Sequence, residues 1–238
     1  MSLRQETSNS DIVEEFKPEE DWLPGETVKK VVSVKNSGNV DMAVMTKITQ
    51  KWDGEKLTLQ AADGTEYAAE VQWGENVAAF AAPGVADIAA PMGIEKTVDS
   101  FADADDTWVL TDIKENEDGS QDLYFVYSGI VAEAGETSAL LTSVTMNPLI
   151  QSGITSKKYE PNGSGGVDLV KADANYLDSY EDAQYTMTIN AKTVQATFDA
   201  IKDVFGAALE MSDSDEEVVI NDFLAANGMD KPAALEAE

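Results

Sequence analysis

The sequence contains neither histidine nor cysteine, and its 238 residues include only 16 Lys and Arg against 45 Asp and Glu. Without histidine and cysteine the chain cannot build a disulfide, a thiolate nucleophile, a Cys/His zinc site, a Ser-His-Asp triad or a histidine general base. The chemistry that remains uses carboxylates, hydroxyls, lysines or metals bound through oxygen. The residue types therefore narrow the function without naming a reaction.

The shortage of basic residues gives a net charge of −29 and a sequence pI near 4.1. Such a surface repels phosphate backbones and anionic lipids, because nucleic-acid binding depends on clustered Lys and Arg. We therefore expect no nucleic-acid partner. Long hydrophobic runs are also missing: the longest apolar stretch, residues 77–90, is interrupted by Pro83, Gly84 and Asp87 and is shorter than the ~20 residues of a spanning helix.

What the chain does have is ordinary globular composition, at 43% hydrophobic residues, which is enough for a sizeable core. We expect a flexible N-terminal segment over 1–10, one domain over 11–228 with an irregular insertion at about 77–106, and a tail over 229–238. The first residues are polar and include no apolar signal core, so we expect a signal peptide to have been removed. The absence of cysteine fits a cytosolic protein and also a protein secreted without disulfides.

Short alternating segments separated by Gly, Pro and Asn turns predict a protein that is mainly β. The predicted strands are residues 27–34, 42–48, 56–59, 67–73, 108–110, 123–127, 140–146 and 185–191. Turn signals at 22–25 and 36–39 make the first two strands a hairpin. Residues 161–166, PNGSGG, have the most flexible composition. The many strands favour a β-sandwich.

Two helices are predicted near the C-terminus. Residues 197–205 place an apolar stripe on one face and are followed by Gly206, a residue typical of a helix end. Residues 218–227 follow a capping-box pattern at 214–217 and end before Gly228. We expect both helices to pack against their own domain and not to bind a partner.

Three stretches carry a family resemblance. Residues 22–41 contain a PG turn, a K-x-V-x-V-x-N strand and an N-x-G-N-x-D turn; residues 124–141 and 185–196 contain the later motifs in the expected order. Together they resemble the camelysin/TasA-like family of secreted Gram-positive proteins. The match covers most of the chain and is thin over 77–106 and after residue 205.

The resemblance implies an antiparallel jelly-roll sandwich with a few helices in its connections and near the C-terminus. It also implies export by a dedicated signal peptidase and a place at the cell surface or in an extracellular biofilm matrix. Some family members form fibres by donating an N-terminal strand to the next subunit. The candidate donor here is the segment containing Ile12, Val13 and Phe16, although the same residues can form the first strand of their own sheet.

Camelysin is classed as a metallopeptidase, but this chain has no histidine and no H-E-x-x-H helix, so we expect no enzyme and no cofactor. Oxygen ligands can still hold Ca²⁺. The weak candidates are three acidic clusters, none with EF-hand spacing and each equally readable as a solvated loop: Asp103, Asp105 and Asp106; Glu115, Glu117 and Asp118; Asp213, Asp215 and Glu216.

Three functions follow in order of preference. The first is a non-enzymatic structural or adhesive surface protein that partners itself or other matrix proteins. The second is a surface module that binds a glycan, peptide or Ca²⁺ through the 77–106 insertion, with a cleft formed by some of Trp22, Trp52, Trp73 and Trp108; these tryptophans are otherwise core residues. The third is a secreted hydrolase using paired carboxylates. If copies assemble, salt or Ca²⁺ should promote assembly by screening the charge.

Overall fold

A computed structural model describes residues 10–16, 25–53, 69–81, 85–146, 154–161, 167–174, 184–209 and 213–229. Twelve strands lie in these ranges: β1 Ser10–Phe16, β2 Thr27–Asn36, β3 Met42–Asp53, β4 Ala69–Trp73, β5 Val77–Phe80, β6 Thr97–Val98, β7 Trp108–Glu115, β8 Gln121–Tyr127, β9 Leu141–Met146, β10 Ile154–Pro161, β11 Val167–Ala174 and β12 Gln184–Gln195. Three α-helices accompany them: α1 Val85–Ala89, α2 Phe198–Leu209 and α3 Asp213–Ala226. A 3₁₀ helix covers Phe101–Asp103.

The strands form two main sheets and a separate ribbon. The first sheet has the order β1-β2-β9-β4, and the second has the order β12-β3-β8-β7-β5-β6. Strands β10 and β11 form a two-stranded antiparallel ribbon of their own. The prediction of a mainly β sandwich is confirmed, while the jelly-roll connectivity stays a prediction.

The molecule has three layers with two apolar interfaces. Val34, Ile48 and Phe125 belong to the cluster between the two sheets. A second cluster joins the outer face of the second sheet to α2 and α3 through residues such as Phe205 and Phe223. The alternation of β3 explains this arrangement, because Val44 and Ile48 face the first sheet while Ala43 and Met45 face the helices. The second sheet is therefore covered on both faces over part of its width.

The segment 77–106 differs from the irregular insertion expected from sequence. It supplies β5, α1, β6 and the 3₁₀ helix, and β5 pairs in parallel with both β6 and β7. All four residues of β5 are buried. A strand buried on both faces has a continuous apolar sequence with no alternation, and for this reason the period-two signal was absent.

The C-terminal helices also differ from their predicted bounds. Helix α2 continues through Gly206 to Leu209, whereas the sequence placed its end before that glycine. A Cβ at Gly206 would lie 2.6 Å from Glu216 Oε1, so the glycine permits close approach of α3 and does not end α2. The expected stop at Gly228 is confirmed by its φ of 66°.

Other predictions have mixed outcomes. The hairpin predicted between the first two strands is wrong, because β2 and β3 lie in different sheets. The expected strand at 56–59, residues 162–166 of the PNGSGG stretch and Trp22 lie outside the described residues. Strands β10 and β11 were not predicted, because their sequences are polar and interrupted by register shifts. No helix within the described ranges is both long and apolar enough to cross a membrane.

Candidate functional site

The predicted donor segment forms β1, the edge strand of the first sheet. It pairs antiparallel with β2 over its whole length, from Ser10 opposite Asn36 to Phe16 opposite Lys30. No other strand among the described residues pairs with β1. The candidate assembly residues therefore lie in their own subunit's sheet, which is the second of the two arrangements expected from sequence.

Charge is divided unequally between these two strands. β1 has the sequence SDIVEEF, with three acidic residues and no basic one, whereas β2 has the sequence TVKKVVSVKN, with three lysines and no acidic residue. Asp11 lies directly opposite Lys35 in the register. Cross-strand pairs of opposite charge favour pairing, so β1 is matched to one of the few basic strands of a strongly acidic chain.

Ile12 and Val13, two apolar residues of β1, contribute little to the core. Ile12 is 38% exposed and Val13 is 42% exposed, although the residues opposite them, Val34 and Ser33, are buried. Ile12 lies on the same face as Val34, which is the core-facing side, because directly opposite residues point the same way. The backbone ladder with β2 therefore holds β1 in place, while Ile12 and Val13 remain partly in solvent.

A hydroxyl contact links the first residue of β1 to the other sheet. Ser10 Oγ lies 3.0 Å from Thr193 Oγ1 on β12. This places the edge strands of the two sheets, β1 and β12, on the same side of the sandwich. Along that side the core-facing residues Met187 and Ile189 of β12 are only partly buried.

The N-x-G-N-x-D turn after β2, which is part of the family resemblance, has a structural role centred on Asn36. This residue is 1% exposed, and its Nδ2 donates to the carbonyl oxygens of Val40, Val131 and Ala132 at 2.8, 3.0 and 3.1 Å. Its Oδ1 accepts a hydrogen bond from the amide of Gly38 at 2.9 Å. The side chain thereby holds two loops together at one end of the sandwich.

Asp41 continues the same junction. Its Oδ1 accepts from the Glu133 amide at 3.3 Å, and its carbonyl oxygen accepts from the Ala196 amide at 2.9 Å. Asp41, the acidic residue of the motif, therefore accepts hydrogen bonds from two backbone amides of its own subunit. Nothing in its hydrogen bonding requires a ligand.

The first acidic cluster is used by the loop that precedes β7. Asp103 and Asp105 are exposed, and Asp106 has a φ of 50° and accepts a hydrogen bond from the Tyr127 hydroxyl. The Asp105 carbonyl oxygen accepts from Thr107 Oγ1 at 2.7 Å. These contacts stabilise a turn. They do not bring the three carboxylates together at one point.

The second cluster lies in the hairpin between β7 and β8, where Glu115 and Glu117 are exposed. Asp118 Oδ1 accepts from Ser120 N and Oγ, and Oδ2 lies 3.0 Å from Lys51 Nζ. The hydrogen bonds from Ser120, followed by Lys51, hold the pKa of Asp118 well below its usual range. In the third cluster Asp215 is exposed and Glu216 is half-buried, while the side chain of Asp213 lies outside the described part.

No group of three or more His, Cys, Asp or Glu side chains in the described ranges is arranged to hold a metal ion. Ca²⁺ binding therefore stays a prediction that this geometry does not strengthen. The two remaining carboxyls with shifted pKa values are separate cases. Burial is the main cause that raises the pKa of Asp112, with a smaller contribution from Asp215.

Asp122 on β8 has the opposite shift. Burial opposes its ionisation, but hydrogen bonds from Thr49, Asn116 and Lys47 outweigh that effect and lower its pKa. Thr49 Oγ1 donates at 2.5 Å and Lys47 Nζ at 3.3 Å. This carboxylate accepts hydrogen bonds from neighbouring side chains within the second sheet.

A buried polar cluster that the sequence did not indicate lies at the end of β3. Gln50 Nε2 donates to Gln121 Oε1 at 2.9 Å, and the Tyr185 hydroxyl donates to Gln50 Oε1 at 2.8 Å. Desolvation raises the pKa of Tyr185. The Trp52 ring packs 5.1 Å from that of Tyr185. Gln50 and Trp52 are two residues apart and so lie on one face of β3. Nothing in the sequence indicates that Gln121 and Tyr185, on two other strands, lie beside them.

A cavity of about 460 Å³ opens beside β4, the opposite edge of the first sheet. Its lining includes Gln50, Glu70, Trp73 and Met92. Trp73 is half-buried, and its Nε1 donates to the Met92 carbonyl oxygen at 2.8 Å. Of the other predicted cleft tryptophans, Trp52 and Trp108 are core residues, at 4% and 0% exposed.

Comparisons with known proteins identify no relative of this chain: no family model, no curated protein and no solved structure matches it.

Proposed function

We propose that this protein is an exported, non-enzymatic structural or adhesive subunit of a cell surface or extracellular matrix. We further propose that it assembles by passing β1 to the β2 edge of a neighbouring copy. The observation that carries the proposal is the way β1 is attached: it is an edge strand with exposed Ile12 and Val13, and it pairs only with β2 among the described residues. The resemblance to the camelysin/TasA-like family supports the same role.

Exchange of β1 conserves the favourable contacts of the closed subunit. A donated β1 would meet the same lysines of β2, including Lys35 opposite Asp11, so the closed and exchanged states have similar contact energies. Residues 17–26 join the two strands, and ten residues extend to at most about 33–36 Å. Exchange therefore requires the β2 edge of the neighbouring copy to lie within about 36 Å of the end of this linker.

The charge of −29 sets the conditions for assembly. Whole copies repel one another in water, and the repulsion weakens as salt shortens the Debye length to about 8 Å at physiological ionic strength. We therefore expect assembly to increase with salt and with Ca²⁺. Assembly that is indifferent to ionic strength would contradict this part of the proposal.

Light scattering with electron microscopy tests the proposal on the full chain across protein concentration, salt and Ca²⁺. The matched comparison is the chain lacking Met1–Phe16, with circular dichroism to show that it stays folded. Filaments formed by the full chain and lost with the truncation are expected. A monodisperse monomer in every condition would refute self-assembly.

The cavity beside β4 favours a second candidate function, a surface module that binds a glycan. Its volume of about 460 Å³ is within the range of small-ligand sites, and an indole, a carboxylate and an amide occur together in its lining. Titration with chito-oligosaccharides, followed by tryptophan fluorescence, tests this. A saturable change that is lost in Trp73→Phe is expected, and no change at millimolar sugar would exclude that ligand.

A further inference from the structure

The four outer strands of the two main sheets differ in how they are protected against pairing with another chain. β1 carries three acidic residues in seven, β4 has five residues with a register shift after Gln72, and β6 has two residues. Charge, irregularity and shortness are the usual devices that prevent edge-to-edge association. These three edges therefore follow the ordinary pattern.

β12 has only one of these devices, a single charged residue. It is twelve residues long with the sequence QYTMTINAKTVQ, which contains no acidic residue, no proline and no glycine. All twelve residues pair with β3 without a register shift. Lys192 is its one charged residue, and β12 pairs with no described strand on its outer side. A long and regular edge with a single charge is the kind that accepts another strand.

The edge formed by β12 lacks the negative charge that makes the rest of the chain repel other copies. The chain has 45 acidic residues, yet none falls in the twelve residues of β12. The adjacent β3 has two lysines, both ion-paired, and one acidic residue, Asp53. The side chains on the helix-facing side of β12, from Thr186 to Lys192, are exposed and hence are not covered by α2. Two copies can approach here without placing carboxylates of β12 against each other.

We propose that β12 is a self-complementary interface, at which the second sheets of two copies join antiparallel about a two-fold axis into one continuous sheet. A two-fold interface brings the same strand from each copy together. With the axis at residue 188 or 189, near the middle of the strand, Lys192 faces an uncharged residue of the partner in both cases. The inference stands independently of β1 exchange, because it uses the other sheet.

Charge placed at the centre of β12 tests this interface. Thr188→Asp with Asn190→Asp puts like charges opposite each other for both axis positions, and so does Thr188→Lys with Asn190→Lys. Each double variant is expected to weaken dimerisation about tenfold by sedimentation velocity at about 0.5 M salt, because directly opposed like charges disfavour pairing. An equimolar mixture of the two variants is expected to dimerise at least as well as the original chain.

The matched controls carry the same changes elsewhere. Thr97 and Asn221 are exposed residues of the same types, so Thr97→Asp with Asn221→Asp, and the corresponding Lys pair, alter net charge equally. These controls are expected to leave the dimer within about twofold of the original once salt screens long-range repulsion. The Lys double variant at β12 is decisive, since it lowers the net negative charge and yet is expected to weaken the dimer.

Two outcomes would overturn the proposal: a chain that stays monomeric at high salt and high concentration, or β12 variants that behave like their controls. A disulfide joining Asp11→Cys to Lys35→Cys within one subunit separates this interface from strand exchange. Dimerisation that persists in the locked protein supports the β12 interface. Dimerisation that is lost on locking assigns it to β1 and contradicts the β12 interface.

Discussion

Replacement of Asn36 tests whether the turn motif that carries the family resemblance serves the fold. The Asn36 side chain makes four hydrogen bonds, three from Nδ2 to carbonyl oxygens and one at Oδ1 from the Gly38 amide. Each is worth about 1 kcal/mol net, and Nδ2 shares two hydrogens among three acceptors, so Asn36→Ala is expected to cost about 2–4 kcal/mol. Urea unfolding followed by circular dichroism measures this.

Asn36→Asp sharpens the same test because it retains the size of the side chain. A carboxylate at this position would face the carbonyl oxygens of Val131 and Ala132 in place of donating to them, so the loss at pH 7 is expected to exceed that of the alanine variant. Asn39, which is exposed in the same turn, provides the matched control, and its variants should change stability by less than about 0.5 kcal/mol. Equal effects at Asn36 and Asn39 would refute the structural role.

Three further predictions concern charge. Asp112→Asn is expected to raise the melting temperature at pH 7, because burial raises the pKa of Asp112 and penalises its ionised form. The gain should vanish below about pH 4, where the Asp112 carboxyl is protonated in both the folded and the unfolded state. Asp122→Asn is expected to cost about 1–3 kcal/mol at pH 7 by urea unfolding, because its lowered pKa stabilises the fold above the unfolded-state pKa; that contribution is lost as pH falls through the folded-state pKa. Calcium titration at fixed ionic strength, followed by light scattering, should increase assembly only as much as equivalent screening by Mg²⁺, and a Ca²⁺-specific rise would instead indicate a real calcium site.

The sequence predicted the strands whose residues alternate and failed where burial or pairing removed the alternation. β2, β3 and β12 have clear period-two patterns and were found close to their observed bounds. β5 is buried on both faces, and α1 is only five residues long, so neither gives a periodic signal. The separate ribbon of β10 and β11 was missed for a related reason: its register shifts interrupt the pattern on each strand.

The candidate site was only partly accessible from sequence. The apolar residues Ile12 and Val13 could be located in an otherwise polar N-terminal region, but their exposure depends on which strand they join. The lack of acidic residues in β12 is visible in the sequence, yet it has meaning only once the strand is known to lie at an edge. Contacts between distant residues, such as Gln50 with Gln121 and Tyr185, have no local signal at all.

Cross-linking between two single-cysteine variants tests the proposed exchange of β1 most directly. The chain contains no cysteine, and Asp11 lies opposite Lys35, so the variants Asp11→Cys and Lys35→Cys each introduce one thiol at a paired position. After mixing and mild oxidation at assembly-promoting salt, exchange predicts a covalent dimer that contains one copy of each variant, with filaments retained. Mixed dimers that form no more often than with a control thiol at exposed Asn221 would contradict strand exchange.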